Sequence, residues 1–421
     1  MWFFICWLML GYILIVHYLI CNNWITGQSA FTGIWFLSLT GLLGFPQAQD
    51  FISVKAALLI IFVHITYFMG SIYIYKLRKG KNTTFLEIVP PSSGLLKAIF
   101  YSFCAVLFVG LLGSCLVVFS TGALSSFIEG ELSLVRSMLE TQELQVPILQ
   151  RLMSNFLYPA SILGAICFLF SGGSFSCWIY LLLPLIGLSL YGFAFGGRGA
   201  MILGTPMMFW VLFIGRKRFF TKTGGWINIL LFMIVILALV GFASLIVTTR
   251  LDQPHPLLSL YIYFIGPIPA FSAWLDTYDV LLLNFKIGNI SIVREIIRLF
   301  GMPVSERLVG SDVVFIPFQF NVFTHLLEHI SDFGITGTLI ISGVLGMITS
   351  IFENKSLSVS VLGIRGILYG YLSLSLFTDL AFFIVGWWLT LLMIVVGIPL
   401  LRKLCRFQVN FSPILGRSSR I

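Results

Sequence analysis

An all-α fold that crosses a membrane many times is predicted by three observations. Hydrophobic residues make up 58% of the 421-residue chain, charged residues only 10%, and the mean hydropathy is +1.02; soluble domains carry about 25% charged residues. Apolar runs near 20 residues, enough to cross the hydrocarbon core, recur from the first residues almost to the last. A single leader segment does not account for them. Lys and Arg gather in a few short connections, as they do beside membrane spans. Together these imply one transmembrane bundle over residues 1–421. Seven scattered cysteines, mostly inside apolar runs and without a CxxC pair, read as small packing residues rather than as a disulfide framework or a metal site.

Taken in order, eleven spans are expected: 2–21, 30–45, 52–75, 98–121, 154–171, 177–195, 200–214, 226–248, 333–352, 359–378 and 381–401. No internal repeat is evident, which argues against an inverted-repeat transporter. The basic clusters KLRKGK (76–81), RKRFFTK (216–222) and the tail from Arg402 belong in the cytoplasm, and all three agree with an N-terminus outside and a C-terminus inside. On that topology the inner side holds sixteen Lys/Arg against two acids, and the outer side nine against fourteen. The net charge of +9 is therefore a topology signal, assisted by anionic inner-leaflet lipid, and not a nucleic-acid footprint.

Two outer connections are substantial. The smaller, 122–153, mixes apolar and charged residues like an amphipathic surface helix, or a structural cover. The larger, 249–332, carries thirteen charged residues, three of the five histidines and six of the fifteen prolines. Such a segment is too polar for lipid. It is also too apolar for a disordered linker, with runs such as LLSLYIYFIGPIPAFSAW and DVVFIPFQFNVF. An ordered loop domain resting on the membrane surface is expected, and the chemistry with it.

Several motifs on this side point to an anionic ligand. GGRG (196–199) puts Arg198 in a glycine-rich turn just before a span, where converging N–H groups and a helix start favour an anion. The alternative is a tight turn whose arginine snorkels to the interface. Arg250 lies at the outer mouth of the eighth span, and Arg294, Arg298 and Arg307 follow in SIVREIIRLFGMPVSERLVGSD. Singly each could be solvated or salt-bridged; as a set they look like provision for phosphate. In FNVFTHLLEHISDFG (320–334), helical spacing places His325, Glu328, His329 and Asp332 on one face. A histidine beside carboxylates can serve as general base, its tautomer fixed by the acid, although an ordinary amphipathic helix end has the same spacing. HLLEH also matches an H-x-x-E-H zinc pattern, but nothing else of that fold is visible and no metal is expected.

The GGRGAM turn, the loop opening TTRLDQP and running through YIYFIGPIPAFSAW, and the closing FNVFTHLLEHISDFGITG together resemble the bacterial O-antigen polymerases, the Wzy-type oligosaccharide repeat-unit polymerases. The resemblance implies a glycosyltransferase of the Gram-negative inner membrane, multi-pass, with its active site facing the periplasm. Its helical architecture would be GT-C-like and similar to that of O-antigen ligases. It would transfer a growing glycan from undecaprenyl diphosphate to a new undecaprenyl-diphosphate-linked repeat unit, making O-polysaccharide of lipopolysaccharide. Implied partners are these glycans, membrane lipid, and a chain-length regulator and flippase of the same pathway, with no nucleic acid. The expected diphosphate-binding residues are Arg198, Arg250, Arg307 and Arg294, and the expected catalytic residues are His325, Asp332 and Glu328. His325 would be the base, oriented by Glu328 or Asp332, with Asp332 as the alternative base. Arginines neutralise a diphosphate leaving group without a metal or other cofactor. An O-antigen ligase, and a flippase or transporter of lipid-linked oligosaccharide, are the competing readings.

Overall fold

A computed structural model describes residues 1–78, 90–128, 138, 146–171, 175–194, 199–215, 261–262, 264–277, 314–316, 319–320, 324–353, 355, 357–377 and 385–405. Helix α1 (Trp2–Cys21) stops at Asn22, whose left-handed backbone (φ 48°) turns its N–H onto the Tyr18 carbonyl at 2.7 Å. Helix α2 (Gly27–Leu42) starts at Thr26, whose hydroxyl accepts the Ser29 N–H. Short α3 (Pro46–Gln49) leads into α4 (Val54–Arg78), and Ser92 caps α5 (Ser93–Thr121). Then come α6 (Ala123–Ile128), α7 (Ile148–Ser154), α8 (Leu157–Phe170), α9 (Ile179–Ala194) and α10 (Gly199–Ile214). Helix α11 (Pro267–Thr277) and an antiparallel ribbon of β1 (Val314–Phe315) and β2 (Gln319–Phe320) precede α12 (His325–Glu353). Helices α13 (Val359–Leu374) and α14 (Val385–Leu392) follow, α14 passing through a π-turn at Met393–Gly397 toward Cys405.

The described chain is thus an all-α membrane protein. A helix lies on each expected span except 226–248, which falls outside the described residues. Six stretches among the described residues are long and apolar enough to cross a membrane: α1, α4, α5, Ile148–Phe170, α12 and Gly386–Cys405. One boundary differs: α12 begins at His325, eight residues ahead of the span expected at 333. Polar HLLEHISD hides this start from a hydropathy reading. Gly334 then breaks the helix with φ 68°, a conformation that costs glycine nothing, so His325–Phe333 and the long apolar part are two rods at an angle.

The chain forms two compact units. One comprises Met1–Thr83, His255–Lys355 and Leu368–Ile384; the other comprises Thr84–Pro254, Ser356–Ile367 and Val385–Ile421. In the second unit α8 is the centre, with every residue from Leu157 to Leu169 buried, and α5, α9, α10 and α14 pack around it. A helix enclosed on all sides must be apolar on all sides, and LYPASILGAICFLF is.

In the first unit α4 packs chiefly on α12, with α1 and α2 alongside. The closest approach is made by Gly70 of α4 with Gly343 and Gly346 of α12, where an added Cβ on Gly70 or Gly346 would strike the facing helix backbone. Helix α11 also belongs here. Its Ile268, Phe271, Trp274 and Leu275 are buried, the Phe264 carbonyl accepts from Ser38 at 2.8 Å, and Ser272 Oγ accepts the Ser53 N–H at 2.9 Å. Helix α11 is therefore packed where α2 finishes and α4 begins.

Replacing Gly346 by Leu should lower stability by about 1–3 kcal/mol or prevent accumulation of folded protein, because backbone has to move. Gly33→Ala, in the same unit with nothing within 4 Å of its Cβ position, should be neutral or stabilising by about 0.5–1 kcal/mol. Thermal unfolding of the two detergent-solubilised variants checks the pair.

Candidate functional site

The first unit buries a set of polar side chains between its spans, which is costly in a membrane protein and marks a site. Three histidines are at its centre: His64, His325 and His329 are all at most 2% exposed. The short rod that Gly334 sets at an angle carries His325 and His329, whose rings meet edge to face at 4.8 Å. His325 packs on Phe31 and Trp35 of α2, at 5.7 and 5.8 Å between ring centres. His64 of α4 packs on the same two rings, at 4.3 and 5.3 Å. Trp35 and His64 sit at the middle of their helices, so His325 lies deep in the unit and not at its mouth.

Ser375, just past the end of α13, fixes this arrangement. Its carbonyl accepts twice from His325, from the backbone N–H at 2.9 Å and from Nδ1 at 2.7 Å. Its hydroxyl accepts the Trp35 indole N–H at 2.9 Å and donates to the Leu372 carbonyl. A carbonyl oxygen only accepts, so Nδ1 of His325 carries the ring proton and Nε2 is a lone pair. That is the tautomer a general base needs. Glu328 or Asp332 was expected to orient His325; its Nδ1 is bonded to the Ser375 carbonyl. Asp332 is buried on the same rod, Glu328 is half-buried, and His329 Nε2 lies 3.5 Å from the Tyr371 hydroxyl.

A second polar chain meets the cluster from α2. Gln28 donates its amide N–H to Thr32 Oγ1, which lies 3.0 Å from His64 Nδ1. Nearby, Glu353 at the end of α12 accepts the Gly27 N–H and the Tyr369 hydroxyl at 2.7 Å. A carboxylate thus sits on the positive end of α2. Tyr67 and Thr349 pair at 2.6 Å beside it; Thr349 gives its own hydrogen to Leu345, so Tyr67 donates.

Of the expected site residues, the structure brings His325 and Asp332 into one buried rod with Glu328 at its flank. Arg198, Arg250, Arg294 and Arg307 lie outside the described residues, although α10 does begin at Gly199, directly after Arg198. His64, Trp35, Thr32, Gln28, Tyr371, Ser375 and Glu353 were not anticipated as site residues. A signal existed: Gln28, Thr32 and Trp35 recur at i, i+4 and i+7, a polar-tipped stripe on one face of an otherwise apolar helix.

Ser375→Ala should keep the backbone carbonyl on His325 but leave the buried Trp35 indole N–H unpaired, a loss of about 1–3 kcal/mol in thermal unfolding. Activity per folded molecule should stay near wild type, because the His325 tautomer does not depend on the Ser375 hydroxyl.

Comparison of the chain with protein-family models, curated proteins and solved structures finds no match in any of the three. The functional reading therefore rests on the residues themselves.

Proposed function

We propose that the chain is an O-antigen polymerase. In this reading it is an inner-membrane glycosyltransferase with eleven spans and a GT-C-like architecture. It joins undecaprenyl-diphosphate-linked repeat units on the periplasmic side, with 249–332 as the large periplasmic loop. The observation that carries the proposal is His325, which donates its Nδ1–H to the Ser375 carbonyl, so that the neutral ring keeps its lone pair on Nε2. Polymerisation needs one base for an acceptor hydroxyl, and cations for a diphosphate that gains charge as it leaves. Arg198, Arg250, Arg307 and Arg294 would supply those cations, with no metal required. Asp332, buried on the same rod, remains the alternative base.

A second reading, a flippase or transporter of lipid-linked oligosaccharide, gains support from one observation. His64, His329 and Asp332 are ionisable groups buried inside membrane-spanning helices, as proton-coupled carriers require. Gene deletion with lipopolysaccharide gel analysis separates the readings. Loss of a polymerase leaves core bearing a single repeat, whereas loss of a flippase or a ligase leaves bare core. Within the polymerase reading, His325→Ala should cut turnover by about 10²–10⁴-fold at normal protein level. Arg198→Ala or Arg250→Ala should abolish long chains, with Lys restoring them only in part. A cysteine placed at position 310 should label from the periplasm; labelling from the cytoplasm would remove the site assignment.

A further inference from the structure

Helix α12 carries a conflict between its sequence and its position. Apolar content starts the span at 333 and leaves HLLEHISD in water, yet His325, His329, Ser331 and Asp332 are all buried. Gly334 makes the difference. It is the one position inside α12 with non-helical angles, and its φ of 68° and ψ of 179° belong to a region that is essentially glycine's own. The direction of the bend follows from the neighbours. Glu353, at the end of the long rod, accepts the Gly27 N–H at the start of α2. The long rod runs about 28 Å from Ile335 to Glu353 and α2 about 24 Å, so Gly334 lies toward the end of the unit where α2 finishes. His325 nevertheless packs on Phe31 and Trp35, toward the middle of α2. The short rod is therefore folded back from Gly334 into the unit. The ribbon that packs on α11 through Ile316 and Ala270 ends at Phe320, so the chain comes to the rod from the α11 end. Around the start of the rod, Thr324 Oγ1, His64 Nε2 and Gln28 Oε1 are fully buried and have no hydrogen-bond partner among the described residues. Thr324 stands where a hydroxyl ordinarily accepts a first-turn N–H, and here it does not. Buried polar groups are almost always paired, so each of the three raises the free energy of the bent state.

We propose that the rod His325–Phe333 is a gate that pivots on Gly334. In the bent state it closes the interior of the first unit and holds His325 against Phe31 and Trp35. When Gly334 takes helical angles, α12 becomes one continuous helix. The rod then stands about 13 Å beyond Gly334, at the end of the unit where α11 packs. Both hydrogen bonds from His325 to Ser375 break, the polar side chains of HLLEHISD meet water, and Thr324 and His64 are uncovered. Leu326, Leu327 and Ile330, all buried in the bent state, become exposed, which keeps the straight state the minor one. A histidine that is 2% exposed touches no substrate, so chemistry at His325 needs this motion. The gate does not rest on the polymerase reading, because the position of the rod is measured whatever the reaction.

Ile330→Cys reports the motion, because Ile330 is fully buried in the bent rod. Full-length protein carrying it is placed in lipid nanodiscs and treated with a charged maleimide, and labelling at position 330 is followed by peptide mass spectrometry. Adding Gly334→Ala, which bars the bent angles, should speed that labelling about tenfold. Adding Thr324→Val, which removes the orphan hydroxyl from the closed state, should slow it about fivefold. Ile60→Cys, equally buried in α4, should react at one rate in all backgrounds. A rate at 330 that Gly334→Ala leaves unchanged overturns the gate, and so does a rise matched at position 60, since that is unfolding. If Gly334→Ala does not accumulate, Thr324→Val decides alone, and an unchanged or faster rate at 330 overturns the proposal.

Discussion

The first unit depends on the close approach of α4 and α12 at Gly70, Gly343 and Gly346. Between helices in lipid there is no water to expel, so association rests on surface packing and on hydrogen bonds. Side chains as small as hydrogen let the two backbones touch, and they fix where α12 lies along α4. From that seat the bend at Gly334 directs the short rod, and the rod delivers His325 and His329 into the interior. A larger residue at the contact would displace histidines that lie well away from it in sequence.

Buried polarity in such a bundle has to be paired locally, since lipid offers no substitute partner. Ser375 meets much of that demand with a single residue, since its carbonyl takes two hydrogens from His325 while its hydroxyl serves Trp35 and Leu372. The second unit solves a different problem. Its central α8 is apolar on every face, and its neighbours answer with glycines such as Gly110, Gly187 and Gly386, each close against α8. One unit carries polar chemistry inside its spans, while α8 is a packing core.

Hydropathy located the apolar helices that lie on ten of the expected spans, because length and apolar content are properties of a contiguous stretch. The same reasoning missed the true start of α12, where His325, His329, Ser331 and Asp332 are buried by tertiary contact that no local window contains. Helical spacing puts His325, Glu328, His329 and Asp332 on one face, and all of them but half-buried Glu328 are buried, but spacing says which residues share a face and not what the face meets. Ser375 is 50 residues from His325, and Trp35 is 340 from Ser375. Nothing in the local sequence of Ser375, in SLSLFTD, distinguishes its carbonyl from any other. The arginines expected to bind diphosphate lie outside the described residues and keep the standing that the sequence alone gave them.

The bond from Gly27 to Glu353 joins residues 326 positions apart. It has a bearing on biogenesis. Helix α2 leaves the ribosome well ahead of the carboxylate, 326 residues later, that covers its N-terminal N–H. The first unit is assembled from three separated stretches of chain, so it stays open during most of translation. While it is open, the Gly27 N–H and the Trp35 indole N–H lack the Glu353 and Ser375 partners that later cover them. A truncated product ending before Glu353 would carry that incomplete state permanently, which makes it a substrate for membrane quality control.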